Sequence, residues 1–249
     1  MTDSQTDSAR LPGRANIFLT AEWRHLAMLN YAIDPAILRP LVPSGTELDF
    51  FHGQTFVSVV GFRFLNTRVF GLALPRHRDF EEVNLRFYVR RQVAGEWRRG
   101  VVFVSELVPR HLIAFVARRF YGEPYRALPM RHVIEQTGSS LRVAYSWQRD
   151  RRWEHLRLSA TGDSQKMAVG SEEEFITEHY WGYTARGARS NEYEVEHPRW
   201  RFWRATETSF EADVGSLYGP AFVEALARPP TSAFIAEGSP VAVRCGREM

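Results

Sequence analysis

The chain is poor in the residues that most often carry covalent chemistry. It holds one cysteine, Cys245, among 249 residues. A single cysteine excludes an internal disulfide framework, and a cytoplasmic location follows as the default expectation. No basic motif surrounds Cys245, so it is a poor nucleophile candidate. Lysine is equally scarce: of 32 lysines and arginines only Lys166 is a lysine. No apolar run approaches the length of a membrane span. The first residues, MTDSQTDSARLPGRA, lack the apolar segment of a secretory signal, and 1–16 reads as a disordered leader. Glycine-rich phosphate loops, GxGxxG after a strand, HExxH and GxSxG are all missing. The eight histidines are scattered without metal-ligand spacing. His179 beside Glu178 is the best single candidate, yet a satisfied, partly buried histidine is its ordinary role. No metal and no cofactor are expected.

What is present describes a sheet-rich interior. Hydrophobic residues make up 44% and aromatics 13%, ample for a large core in a chain of this length. Net charge is only +3, because the arginines are interleaved with acids. A nucleic-acid footprint would be a clustered basic face. The nearest approach to one is Arg149–Arg152 with Arg142, at an expected hairpin tip, and no nucleic-acid or membrane partner is expected.

Glu22–Ile33 is apolar on both parities beyond Leu26, as in a strand covered on both faces. Asp34-Pro35 gives an N-cap and a first-turn proline, with Ile37, Leu38 and Leu41 as the buried stripe of a short helix. Thr46–Phe51 and Thr55–Leu65 are expected to form a hairpin through His52-Gly53. In the second of these, Phe56, Ser58, Val60, Phe62 and Phe64 share a face. Further strands are expected at Gly100–Leu107, Tyr125–Gln136, around Leu141–Trp147, and at Trp153–Ala160, Tyr193–His197, Phe202–Ala212 and Pro240–Arg244. Helices are expected after Pro109 (Leu112, Ile113, Val116 and Phe120 on one face), after the capping box Ser171–Glu174, and at Pro220–Leu226. No repeat or linker interrupts the chain, so 17–249 reads as one domain. The missing strand–helix alternation argues against a doubly wound sheet. The fold class is α+β, mainly antiparallel β.

The stretch from Phe80 to Met130 carries most of the placed polar residues. In Phe80–Val93 one parity is apolar (Val83, Leu85, Phe87, Val89, Val93) and the other holds Glu82, Asn84, Arg86 and Tyr88. Side chains alternate faces along a strand, so these four stand in one row, neighbours about 7 Å apart. Asn84 is placed to bridge Glu82 and Arg86. A carboxylate, an amide and a guanidinium in line suit a small polar ligand, or else form an ordinary wet face.

The strings FEEVNLRFYV, GVVFVSEL, ARRFYGEPYRA, EHYWGY and EHPRW together resemble the uncharacterised bacterial YqjF-like, or DUF2071, family, from about Trp23 to the C-terminal region. That family is in turn similar to the acetoacetate decarboxylase-like superfamily. The resemblance implies an antiparallel sheet closed into a cone or barrel, with flanking helices, around a central pocket. The decarboxylase pattern has a strand carboxylate in Y-x-E-V, and a later G-x-P-K-K whose first lysine forms the substrate Schiff base. Phe80–Val83 puts that carboxylate at Glu82. Gly122–Arg126 puts Tyr125 at the Schiff-base position and Arg126 beside it. A phenol forms no imine and arginine stays protonated, while Lys166 lies some forty positions further on in a polar run.

What the resemblance leaves is a pocket with Glu82 as a candidate acid–base group and Asn84, Arg86, Tyr125 and Arg126 as candidate ligand-binding residues. Glu106 has no family match and is expected to be structural, while Tyr180 and Tyr183 are candidates for the pocket mouth. The expected function is non-covalent binding of a small carboxylate or carbonyl compound, without Schiff-base decarboxylation. A lysine-independent lyase or isomerase using Glu82 is the alternative, and a structural or interaction protein with a vestigial pocket is the second alternative. The superfamily's homo-oligomers leave a homo-oligomer open.

Overall fold

A computed structural model describes residues 17–73, 75, 77–109, 124–187 and 189–249. The expected leader, the helix after Pro109 and its Gly122-Glu123 exit lie outside the described residues. The long strands are β1 (Ile17–Ile33), β3 (Thr55–Val69), β4 (Phe80–Val93) and β5 (Glu96–Val108), preceded in the case of β3 by the two-residue β2 (Glu47–Leu48). Then come β6 (Tyr125–Ala127), β7 (Met130–Thr137), β8 (Ser140–Arg149), β9 (Arg152–Thr161) and β10 (Gln165–Lys166). The last five are β11 (Trp181–Arg186), β12 (Arg189–Glu196), β13 (Arg201–Glu211), β14 (Ser232–Arg244) and β15 (Arg247–Glu248). Short helices α1 (Pro35–Leu38), α2 (Glu172–Thr177), α3 (Val214–Tyr218) and α4 (Val223–Leu226) fill the connections.

Strands β12-β11-β5-β4-β3-β1-β14 run in that order, and β14 pairs back onto β12, so seven strands close a ring. The closure is thin. β12 meets β14 at Val195↔Val243 and Glu196↔Ala242, and β11 meets β5 in parallel at Trp181↔Gly100 and Gly182↔Val101. β13, β9, β8 and β7 continue from β14 as an outer sheet. The mostly antiparallel architecture agrees with the alternation read from sequence. The ring is less regular than a clean barrel.

The two parities of the ring wall serve two cores. Val57, Val59, Val83, Leu85, Phe87 and Val89 face outward and pack with Leu141, Val143, Tyr145, Trp147, Leu156 and Leu158 of β8 and β9. Each such side chain, fully buried, contributes about 1.5–3 kcal/mol. Phe56, Val60, Phe62, Phe64 and Phe80 point inward with Trp200, Phe202 and Phe234. This double coverage explains why Glu22–Ile33 lacks alternation beyond Leu26.

Three expectations need correction. β2 does not pair with β3; it pairs with β4 at Glu47↔Arg90 and Leu48↔Val89. The pairing of β3 with β4 ends at Val57↔Phe87, so β4 runs on past β3 and β2 takes the vacated edge. Tyr125–Gln136 is two strands, because Pro129, just before β7, has no N–H for a ladder. The cap on α1 is as expected, Asp34 accepting from Ala36 N at 2.8 Å, but only Leu38 of the predicted stripe is buried. At the tip between β8 and β9, Arg149 pairs with Glu154 and Asp213.

Candidate functional site

Inside the ring lies a cavity of about 150 Å³. On the scale where a cavity of that size accommodates benzene, it has room for a small organic molecule. Its polar wall comes from β4. Glu82 and Asn84 are each 2% exposed and line it together with Arg86. The next inward residue, Tyr88, is buried and shares a hydrogen bond with Ser58 Oγ at 2.6 Å. The alternation thus places the row where the sequence puts it, on a buried face rather than a wet one.

The row's hydrogen bonds are incomplete. Asn84 Nδ2 donates to Glu82 Oε1 at 3.0 Å, while Asn84 Oδ1 has no partner among the described residues. Asn84 therefore bridges to Glu82 only. Arg86 Nη2 donates to the carbonyl of Ile176 at 3.2 Å, and its buried Nε has no partner among the described residues. Tyr125 donates from its hydroxyl to Glu82 Oε2 at 3.0 Å.

Burial pushes the Glu82 carboxyl up to about 7, against the pull of Asn84, Tyr125 and Arg86 towards the charged form. An acid there exchanges its proton near neutral pH, as catalytic carboxylates do. Burial, with the Glu106 and Glu82 carboxyls next to it, holds the Tyr125 phenol well above its ordinary value. Burial keeps His179 neutral, down to about 4, despite Asp49 beside it.

Several residues depart from expectation. Arg126 is not in the cavity: next to Tyr125 on a strand, it takes the opposite face, is exposed, and donates to Ser216 O at 3.1 Å. Tyr183 is fully buried in the outer core rather than at a mouth, and Tyr180 donates to Glu178 instead. Trp181, between them, lines the cavity. Lys166 sits exposed on β10, paired with Arg201 and absent from the cavity lining.

Glu106 is the residue that sequence reasoning missed. It is 1% exposed, lines the cavity, lies opposite Asn84, and hydrogen-bonds Tyr125. Simple alternation sets it on the opposite face from Phe103. The pairing of β4 with β5 slips between Leu85↔Ser105 and Arg86↔Phe103. The extra residue, Val104, lets Phe103 and Glu106 both face inward. His179, an unconvincing metal ligand from its spacing, also lines the cavity, with Nε2 3.4 Å from Asp49 Oδ2. No cluster of three or more His, Cys, Asp or Glu is placed to hold a metal among the described residues.

A family model, DUF2071, described as an uncharacterized conserved protein, matches residues 20–240. The chain belongs to that family. One curated relative, the uncharacterized protein YqjF of Bacillus subtilis (strain 168), is 28% identical over 183 residues, 72% of each chain. Among solved structures, acetoacetate decarboxylase from Legionella pneumophila aligns over 100% of this chain and 98% of its own, with a TM-score of 0.63 at 12% identity. An acetoacetate decarboxylase-like enzyme from Sphingomonas wittichii RW1 aligns over 99% of both chains, TM-score 0.65, at 12% identity. The enduracididine biosynthesis enzyme MppR, complexed with pyruvate, aligns over 97% of this chain and 93% of its own, TM-score 0.64, at 15% identity. At such identities these likenesses establish the fold alone. This DUF2071 chain therefore has an acetoacetate decarboxylase-like fold.

Proposed function

We propose that the ring cavity holds a small carboxylate or carbonyl compound without covalent attachment. The carrying observation is the incomplete row: Arg86 Nε and Asn84 Oδ1 are buried without partners among the described residues, in a wall shared with Glu82. A buried donor left unmade costs about 1–3 kcal/mol, more for a charged group. A ligand oxygen on Arg86 recovers that cost through a charge-assisted bond. Glu82, holding its proton near neutrality, donates to a second ligand oxygen and so does not repel an anion. Pyruvate, held by the structural neighbour MppR, is of this chemical class.

Schiff-base chemistry has no support in the site. The lysine amine it needs is on β10, outside the lining, and Tyr125 cannot replace it. A second reading, a lysine-independent lyase or isomerase, is favoured by one observation: a carboxyl pushed up to about 7 against the Tyr125 phenol. Glu82 would then move a proton next to a carbonyl while Tyr125 and Arg86 stabilise the oxygen charge.

The test is calorimetric titration with pyruvate and acetoacetate, wild type against Arg86→Met, with borohydride added in a parallel mass measurement. Binding that is lost in the variant, with no reduced adduct, is expected. A borohydride-trapped adduct, or no binding by either acid, overturns the reading. Deuterium exchange at the carbon next to the ligand carbonyl, lost in Glu82→Gln, would shift the reading to the enzyme.

A further inference from the structure

The cavity has a second end, and it is built of rings. Trp23, Phe62, Phe64, Phe80, His197 and Trp200 all line it. Trp23 stands 5.3 Å from Phe62 and 5.9 Å from Phe64, centre to centre, in edge-to-face contact. Phe64 stacks on Phe80 at 4.6 Å, and His197 stacks on Trp200 at 4.2 Å. Phe62 lies directly opposite Glu82 in the pairing of β3 with β4, so this box of rings begins one strand away from the polar row.

The fold takes trouble to hold the box in shape. A bulge at His25, with φ 54, shifts the register of β1 so that Trp23 and Leu26 both reach the cavity. Opposite, Gly238 has φ +79, and a Cβ there would lie 1.9 Å from the Trp23 carbonyl oxygen. Only glycine fits such a position.

The two indoles differ in one respect. Trp200 Nε1 donates to Ser239 Oγ at 2.9 Å, while Trp23 Nε1 is buried with no partner among the described residues. Buried indole N–H groups normally find an acceptor. None of the six side chains is a carboxylate, and burial lowers the tendency of His197 to carry charge. A cation would meet ring faces there, but it would also meet an unpaired N–H donor.

Resting on the binding function proposed above, we infer that the ligand is an aryl-substituted oxo or carboxylic acid. Its acid group sits at Arg86, its ring sits in the aromatic box, and a ring oxygen faces Trp23 Nε1. A cavity of about 150 Å³ has room for the ring of such a ligand, since one of that size takes benzene. Unbranched two- to four-carbon acids leave the box empty.

The test is calorimetric titration with pyruvate, phenylpyruvate and a ring-hydroxylated phenylpyruvate. Phenylpyruvate is expected to bind roughly 10- to 100-fold tighter than pyruvate, the gain for burying one phenyl ring. In Trp23→Phe the hydroxylated acid is expected to lose its advantage over phenylpyruvate, with phenylpyruvate itself little changed. Phe62→Leu, a milder change than alanine, is expected to weaken phenylpyruvate and spare pyruvate. If pyruvate binds as tightly as phenylpyruvate, the aryl inference falls and the binding function stands. If neither acid binds, both fall, and tight binding of phenethylamine in their place would assign the box to a cation.

Discussion

Two carboxylates, Glu82 and Glu192, are buried to nearly the same degree in the same sheet and live in opposite surroundings. Glu192 on β12 is 1% exposed and receives Arg91 at 2.7 Å, Arg98 at 3.1 Å and Arg247 at 2.5 Å. Burial alone would raise it, and the Arg91 and Arg247 hydrogen bonds outweigh burial and lower it. Its partners come from β4, β5 and β15, so this one side chain ties four strands near the thin junction of the ring. Glu82 is 2% exposed and, among the described residues, is met only by neutral donors, Asn84 and Tyr125, at 3.0 Å each. Arg86, four residues along, spends its hydrogen bond on a backbone carbonyl. The difference teaches which buried carboxylate is held by ion pairs and which is not. A carboxylate surrounded by guanidiniums stays ionised and structural, whereas one left among neutral groups retains its proton near neutral pH.

The largest effect should come from breaking the structural member. Glu192→Ala leaves Arg91, Arg98 and Arg247 facing one another, and unfolding in urea should show a loss of about 3–5 kcal/mol. A loss under 1 kcal/mol would erase the contrast from that side. Glu82→Gln should act in the opposite direction. Its folded-state value lies above the ordinary 4.5, so between 4.5 and about 7 the folded protein binds more protons than the unfolded chain. Stability therefore falls as pH rises through that window, and the loss is complete above it. The variant escapes that loss. It should match the wild type near pH 5 and exceed it at pH 8, by a margin on the order of 3 kcal/mol or less. A variant less stable at pH 8 than the wild type would place Glu82 with Glu192 among the structural ion pairs.

How much of this was legible in the sequence follows from where the strands are regular. Glu82, Asn84 and Arg86 were readable because inward alternation holds along this part of β4, opposite Phe62, Val60 and Ser58 in unbroken register. Glu106 was not, because a single extra residue at Val104 reverses parity in β5, and nothing in GVVFVSEL announces it. The same applies to Trp23 and Leu26, whose shared face depends on the bulge at His25. Arg126 was carried over by motif, and strand parity turned it outward. The mainly antiparallel class was legible from alternation, and the ring architecture from resemblance. Closure through β12 and β14 was not, since two residue pairs make that junction. The cytoplasmic expectation goes no further than one plain fact: no helix among the described residues is long and apolar enough to cross a membrane.

The most direct measurement is a carbon-13 NMR titration of the glutamate side-chain carboxyls, with Glu82→Gln and Glu192→Gln identifying the two resonances by their loss. The Glu82 carboxyl is expected to titrate near 7, while Glu192 titrates below its ordinary range. A Glu82 carboxyl that stays ionised down to 4.5 or lower would contradict the account, for the row would then be one more ion pair holding a sheet.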